Sequence, residues 1–89
     1  MKIKLELFGA SRDFSNNDHL EFEFQDKASV YDLRNKIIKY LDKNFKGNEN
    51  FIKIVKSSAF CSENNEIISD NYKITKDQKI GIIPPIGGG

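Results

Sequence analysis

The sequence predicts an α+β fold, a mixed sheet with one main helix packed across it. Two stretches of alternating polarity near the start, a 3.6-residue period after them and a short apolar run near the end carry that expectation. The chain has 89 residues, 38% of them hydrophobic, which suits one core and leaves no room for a second.

Ile3, Leu5 and Leu7 alternate with Lys2, Lys4 and Glu6, which gives a strand with one buried face. Gly9 to His19 is polar and reads as a loop. Leu20, Phe22 and Phe24 then alternate with Glu21, Glu23 and Gln25, so an antiparallel hairpin is the natural pairing. Val30, Leu33, Ile37 and Leu41 share one face of a helix placed at about 29–45. Ser29 is its expected N-cap, with Asp32 a weaker relative of the capping-box glutamate. Lys39, Lys43 and Lys46 suit the negative end of its dipole, and Gly47 is the expected C′ residue. A third strand is expected within Ile52–Glu63, its register ambiguous because Ile54 and Val55 are both apolar, as are Ala59, Phe60 and Cys61. Glu63-Asn64-Asn65-Glu66 signals a turn, and Ile67-Ile68 a short strand after it. Asn71–Gln78 is a polar connection without a helical stripe, which excludes the second helix of a ferredoxin-like fold. Lys79–Ile83 is the last strand, in which Gly81 would let another backbone approach closely. A hairpin, then a helix, then a return to a parallel partner is the β-grasp (ubiquitin-like) arrangement. It occupies residues 1–83, and residues 84–89 form an extended tail.

That tail, Pro84-Pro85-Ile86-Gly87-Gly88-Gly89, is the most informative segment. Two prolines forbid helix and remove ladder donors, so the tail leaves the sheet extended. The four residues after Pro85 reach roughly 13 Å. Glycines without side chains can thread a channel that any β-carbon would block, and can deliver a carboxylate into another protein's active site.

The tail, placed after Lys79-Ile80-Gly81-Ile82-Ile83, resembles the ending of the small, sulfur-carrier subunit of molybdopterin synthase. Phe8-Gly9-Ala10-Ser11-Arg12-Asp13-Phe14 is similar to that family's segment after the first strand, and Asn64 falls near a family asparagine. The resemblance runs the length of the chain. Lys76-Asp77-Gln78 departs from the family's usual Asp-Gly-Asp-like turn, and three glycines end the chain in place of a larger residue before two. The resemblance implies a sulfur carrier for molybdenum cofactor biosynthesis whose chemistry is done mostly by partners. Gly89 would supply the reacting carboxylate. Pro84, Pro85, Ile86, Gly87 and Gly88 would bind partners. An adenylating enzyme would spend ATP on the Gly89 carboxylate, a sulfur donor protein would make it a thiocarboxylate, and the large synthase subunit would present it to a cyclic pterin phosphate. No cofactor or metal is expected on the chain itself. A thiazole-pathway sulfur carrier and a ubiquitin-like protein modifier share the tail chemistry. A plain protein-interaction module is the rival of a different class.

Other features weigh less. Cys61 reads as a buried, inert thiol and His19 as a surface histidine. One cysteine and one histidine exclude disulfide scaffolds and zinc modules built without carboxylates. The net charge of +1 argues against nucleic acid as a partner. No apolar run approaches the ~20 residues of a membrane span, and early charges break any signal-peptide core, so a cytoplasmic location is expected. Acids cluster between Asp13 and Asp32 and bases between Arg34 and Lys56. The helix face they create is solvated, with electrostatic steering of partners the rival reading.

Overall fold

The computed structural model describes residues 1–85. The strands are β1 (Lys2–Leu7), β2 (His19–Glu23), β3 (Ala28–Ser29), β4 (Ala59–Cys61), β5 (Ile67–Ile68), β6 (Lys73–Ile74) and β7 (Gln78–Ile83). The helices are α1 (Val30–Asn44) and α2 (Glu49–Ser57), with a 3₁₀ segment at Gly9–Phe14. Among the described residues the main sheet has the order β2-β1-β7-β4-β5, and β3 pairs with β6 in a separate two-stranded sheet.

The alternation in β1 fixes the register on both sides. Ile3 and Leu5 lie opposite Phe22 and Leu20 of antiparallel β2, while Leu5 and Leu7 lie beside Ile80 and Ile82 of parallel β7. A one-residue slip would turn Ile3, Leu5 and Leu7 to solvent, so burial locks this register. The face they share is covered by α1, whose Val30, Leu33, Ile37 and Leu41 are fully buried in the same cluster. The stripes of β1 and α1 thus share one core, which Phe14, Val55, Phe60, Ile74, Ile80 and Ile82 enlarge, and the mixed sheet with a main helix across it is the β-grasp architecture. The parallel pair joins the first and last strands, however. The sheet strand that follows α1, β4, runs antiparallel to β7 rather than returning as a parallel partner.

Local chemistry explains the ends of α1. Asp32 stands in for the usual glutamate and still closes a capping box. Its amide donates to Ser29 Oγ at 3.2 Å, and its carboxylate accepts from the Ser29 amide at 2.9 Å. Those bonds, the Ser29 amide first and its hydroxyl second, hold the Asp32 carboxyl below its ordinary value. At the other end the left-handed C′ residue is Lys46 (φ 53°), one position before the expected Gly47. Gly47, also left-handed at φ 69°, donates its amide to the Asp42 carbonyl in the six-to-one bond of a Schellman ending.

The region 49–63 corrects the sequence reading. The expected strand lies within its window as β4, but residues 52–57 of that window belong to the helix α2. Asn48 caps α2 by accepting from the Phe51 amide at 3.1 Å. Phe51, Ile54 and Val55, three and four residues apart, face the main body, and Phe51 packs on Phe14 and Phe45 with ring centroids 5.1 Å away in each case. The carbonyls at the end of α2 are met by Arg34 of α1. Its Nη1 donates to Val55 at 2.6 Å and Ser58 at 3.0 Å, while Nη2 and Nε donate to the Asp70 carboxylate at 2.6 and 3.3 Å. The guanidinium also lies over the Phe60 ring. One side chain thus ties α1, α2, β4 and the loop before β6. Arg34→Ala should cost about 2 kcal/mol, the scale of charged hydrogen bonds left unmade, with the exposed share of Asp70 reducing the ion-pair part. Urea unfolding measures it, and an unchanged midpoint would count against the hub.

Candidate functional site

Pro84 and Pro85 follow β7 directly. Pro84 is buried and Pro85 exposed, so the packed body ends between them. Ile86, Gly87, Gly88 and Gly89 lie outside the described residues. The site that can be described is therefore the root of the tail and the sheet face beside it.

That face is the one turned away from α1. Strand pairing places Ala59 opposite Ile83, and Cys61 opposite both Gly81 and Ile67. These residues alternate with core-facing Phe60, Ile82 and Ile68, so they share the outer surface. Phe8, just beyond β1, joins them over Gly81. A β-carbon on Gly81 would come within 2.8 Å of both Phe8 Cε2 and Cys61 Sγ. The expectation that another backbone approaches Gly81 is thus corrected: two side chains do. The result is an apolar strip next to the tail root. Ile67 is 67% exposed and Phe8 36%, with Ala59 exposed and Ile83 half-buried. Charge borders it: Lys79 Nζ lies 3.5 Å from Glu6, and the Glu63 carboxylate accepts from the Lys79 amide at 2.9 Å. Exposed apolar surface beside the tail root makes this strip the candidate interaction site.

Sequence reasoning found the proline stem but not which residues make up this strip. Phe8, Ala59 and Ile67 are far apart in the chain and only the β7–β4–β5 register brings them together. Gly81→Ala tests how tightly the strip is built. Overpacking against Cys61 and Phe8 should cost about 1–3 kcal/mol. A thermal shift assay showing no loss would mean that Phe8 moves aside freely.

The remaining candidates stay outside the site. Cys61 is buried at the base of the strip, among apolar neighbours. His19 is half-exposed and pairs through Nδ1 with Asp18 at 3.0 Å; that hydrogen bond holds the Asp18 carboxyl below its ordinary value. Among the described residues no three His, Cys, Asp or Glu side chains group to hold a metal ion, and no helix is long and apolar enough to cross a membrane. The basic run lies on α1 and α2, and Lys36 reaches the Glu23 carbonyl and the Phe24 ring.

A β-grasp sheet whose final strand runs into a proline stem beside an apolar face defines a ubiquitin-like carrier. The profile of the ThiS family matches residues 5–89, and the chain belongs to that family of ubiquitin-fold sulfur carriers. Solved structures that share the fold include two of note. The Pyrococcus furiosus protein described as "Putative molybdopterin converting factor, subunit 1" is 24% identical, with a TM-score of 0.70 over 96% of this chain and 98% of its own. SAMP1 from Haloferax volcanii is 14% identical, with a TM-score of 0.69 over 100% of both chains. No curated protein sequence matches the chain.

Proposed function

We propose that this carrier supplies sulfur for molybdenum cofactor biosynthesis as the small subunit of molybdopterin synthase. The observation that carries the reading is the Pro84–Pro85 stem, rooted at the end of β7 beside an exposed apolar strip. The description of the Pyrococcus relative supports the choice of pathway.

A carboxylate is a poor electrophile until one oxygen becomes part of a leaving group. The Gly89 carboxylate attacks the α-phosphate of ATP on an adenylating enzyme, pyrophosphate departs and an acyl adenylate forms. Sulfide delivered by a sulfur donor protein displaces AMP and leaves a thiocarboxylate. Its sulfur is a strong nucleophile at neutral pH. The large synthase subunit takes the tail and gains rate by orienting that sulfur against a cyclic pterin phosphate. A dithiolene takes two sulfurs, hence two loaded carriers. The strip of Phe8, Ala59 and Ile67 docks both the activating enzyme and the large subunit, with Pro84, Pro85, Ile86, Gly87 and Gly88 leading into each active site. A thiazole-pathway carrier would use the same loading steps, and the family match favours it equally.

The intact mass of carrier isolated from its own cells tests the loading. A population heavier by the difference between sulfur and oxygen is expected, and its absence in cells making the cofactor would overturn the carrier reading. Loaded carrier, given the large subunit and cyclic pterin phosphate, should yield a dithiolene. Sulfur transfer only to a thiazole precursor would assign the other pathway.

A further inference from the structure

β2 is an outer strand of the main sheet, with β1 on one side and no strand on the other. The β1–β2 ladder tells which groups the open edge presents. Met1 and Phe24 exchange both main-chain hydrogen bonds, and the Leu7 amide donates to the Asp18 carbonyl. Bonded and unbonded pairs alternate in an antiparallel ladder, so Glu23, Glu21 and His19, opposite Lys2, Lys4 and Glu6, are the unbonded positions. Their amides and carbonyls therefore point away from β1 into the open edge. The Lys2 amide has the matching phase, since it points to the β7 side and donates to Asp77 at 2.8 Å. β2 offers five residues, roughly 17 Å of edge, whereas β5 at the other end of the sheet offers two.

α1 leaves a groove along this edge. A cavity of about 490 Å³ opens between residues 24–28 and the side of α1 that carries Asn35, Lys36 and Lys39. Another lies at the opposite end of β2, between Asn16, Asn17, Tyr40 and Asn44. Lys36 Nζ donates to the Glu23 carbonyl and lies 4.5 Å from the centre of the Phe24 ring. A side chain thus holds an edge acceptor where a strand would otherwise bond. The nearby carboxylates are engaged elsewhere: Asp26 accepts from the Lys27 amide at 2.7 Å and Asp32 from the Ser29 amide. Among the described residues neither Lys36 nor Lys39 pairs with a carboxylate. On the sheet face turned away from α1, Glu21 and Glu23 are exposed.

We propose that β2 accepts an extended segment of another protein as an added strand, with acidic side chains turned to Lys36 and Lys39 and basic ones beside Glu21 and Glu23. Main-chain hydrogen bonds to His19, Glu21 and Glu23 supply the attachment, and Lys36 Nζ moves from the Glu23 carbonyl to an incoming carboxylate. The alternation of charge selects the partner, because opposite charges across a ladder attract and like charges repel. A second copy of the chain fits badly: antiparallel pairing of β2 with itself about Glu21 sets Glu21 against Glu21. β1, β7 and β4 separate this edge from β5 and the exposed Ile67, so the added strand is distinct from the apolar strip and does not depend on the sulfur-carrier reading.

The test titrates the full-length protein, followed by nitrogen–proton NMR, with a synthetic peptide in which glutamate alternates with lysine over the length of β2. The amides of Glu21 and Glu23 should shift and gain protection from hydrogen exchange, while those of Ala59 and Ile67 stay unchanged. A peptide of the same composition with its glutamates and lysines in separate blocks should bind about tenfold more weakly. Methylating the peptide amides that face β2 should abolish binding, because the added ladder cannot form. Lys36→Glu combined with Lys39→Glu should weaken binding about tenfold, and lysine in place of the peptide's glutamates should restore it. Equal binding of the block peptide, binding by the methylated peptide, failure of the rescue, shifts centred on the apolar strip or the absence of saturable binding would each overturn the proposal. So would self-association of Lys36→Ala through β2 in a protein that takes up no peptide, since Lys36 would then only guard the edge.

Discussion

A methyl group at Gly88, or an alanine added after Gly89, is expected to abolish sulfur loading or slow it by at least about a hundredfold, with the fold unchanged. Gly89 supplies the reacting carboxylate in the proposed mechanism, and Gly88 passes the narrowest part of the partner's channel. A side chain there meets the channel wall, and a residue added at the end moves the carboxylate beyond its reaction position. Neither change touches the buried cluster, which is built from residues up to Ile82. Removing Gly89 is the subtler case. It leaves a glycine carboxylate on a tail shorter by ~3.3 Å, comparable to the whole near-attack distance. Thiocarboxylate formation and pterin product, followed separately in a reconstituted system, measure each step. Wild-type rates in all three variants would remove the tail from the chemistry.

Leu33→Ala is expected to destabilise the domain by about 2–5 kcal/mol. Leu33 is fully buried at the centre of the α1 stripe, between Val30 and Ile37 and against the inner face of the sheet. Truncation removes apolar contact and leaves a cavity that β1 and β7 cannot fill without giving up their ladder. Against a total stability of about 5–15 kcal/mol for a small domain, such a loss leaves a measurable unfolded fraction. Urea denaturation gives the value, and a loss under about 0.5 kcal/mol would show that another face of α1 meets the sheet.

The periodic elements were readable in the sequence because each repeats long enough to exclude the alternative. β1 and β2 alternate strictly, and α1 holds its stripe from Val30 to Leu41 over more than three turns. α2 was not, because its nine residues offer only Phe51, Ile52, Ile54 and Val55, and the adjacent pairs Phe51-Ile52 and Ile54-Val55 suit a buried strand equally. The Asn48 cap and Glu49 in the first turn were the signals for it. β6 is two residues long and exists through its pairing with Ala28 and Ser29, a partnership no local pattern encodes. The buried 3₁₀ segment was hidden for a similar reason: Ser11 and Phe14 are interior positions in a stretch whose other residues are polar or small. At the site, the proline stem was visible as composition, whereas the apolar strip depends on register across three strands.

The central position of β7 makes closure of the sheet around it a condition for carrying. β7 is the last strand among the described residues, yet it lies between β1 and β4 and supplies Ile80 and Ile82 to the core. A polypeptide still on the ribosome, or cut before Gln78, has two unsatisfied strand edges facing an empty slot and cannot close its sheet. β1 and β7 are far apart in the sequence, so folding is dominated by distant contacts and waits until β7 is present. In the proposed mechanism the carboxylate is carried on the segment that follows the strand completing the interior. Fragments are therefore left open and exposed to proteases, while a chain that presents a properly rooted tail to its partners has already finished folding.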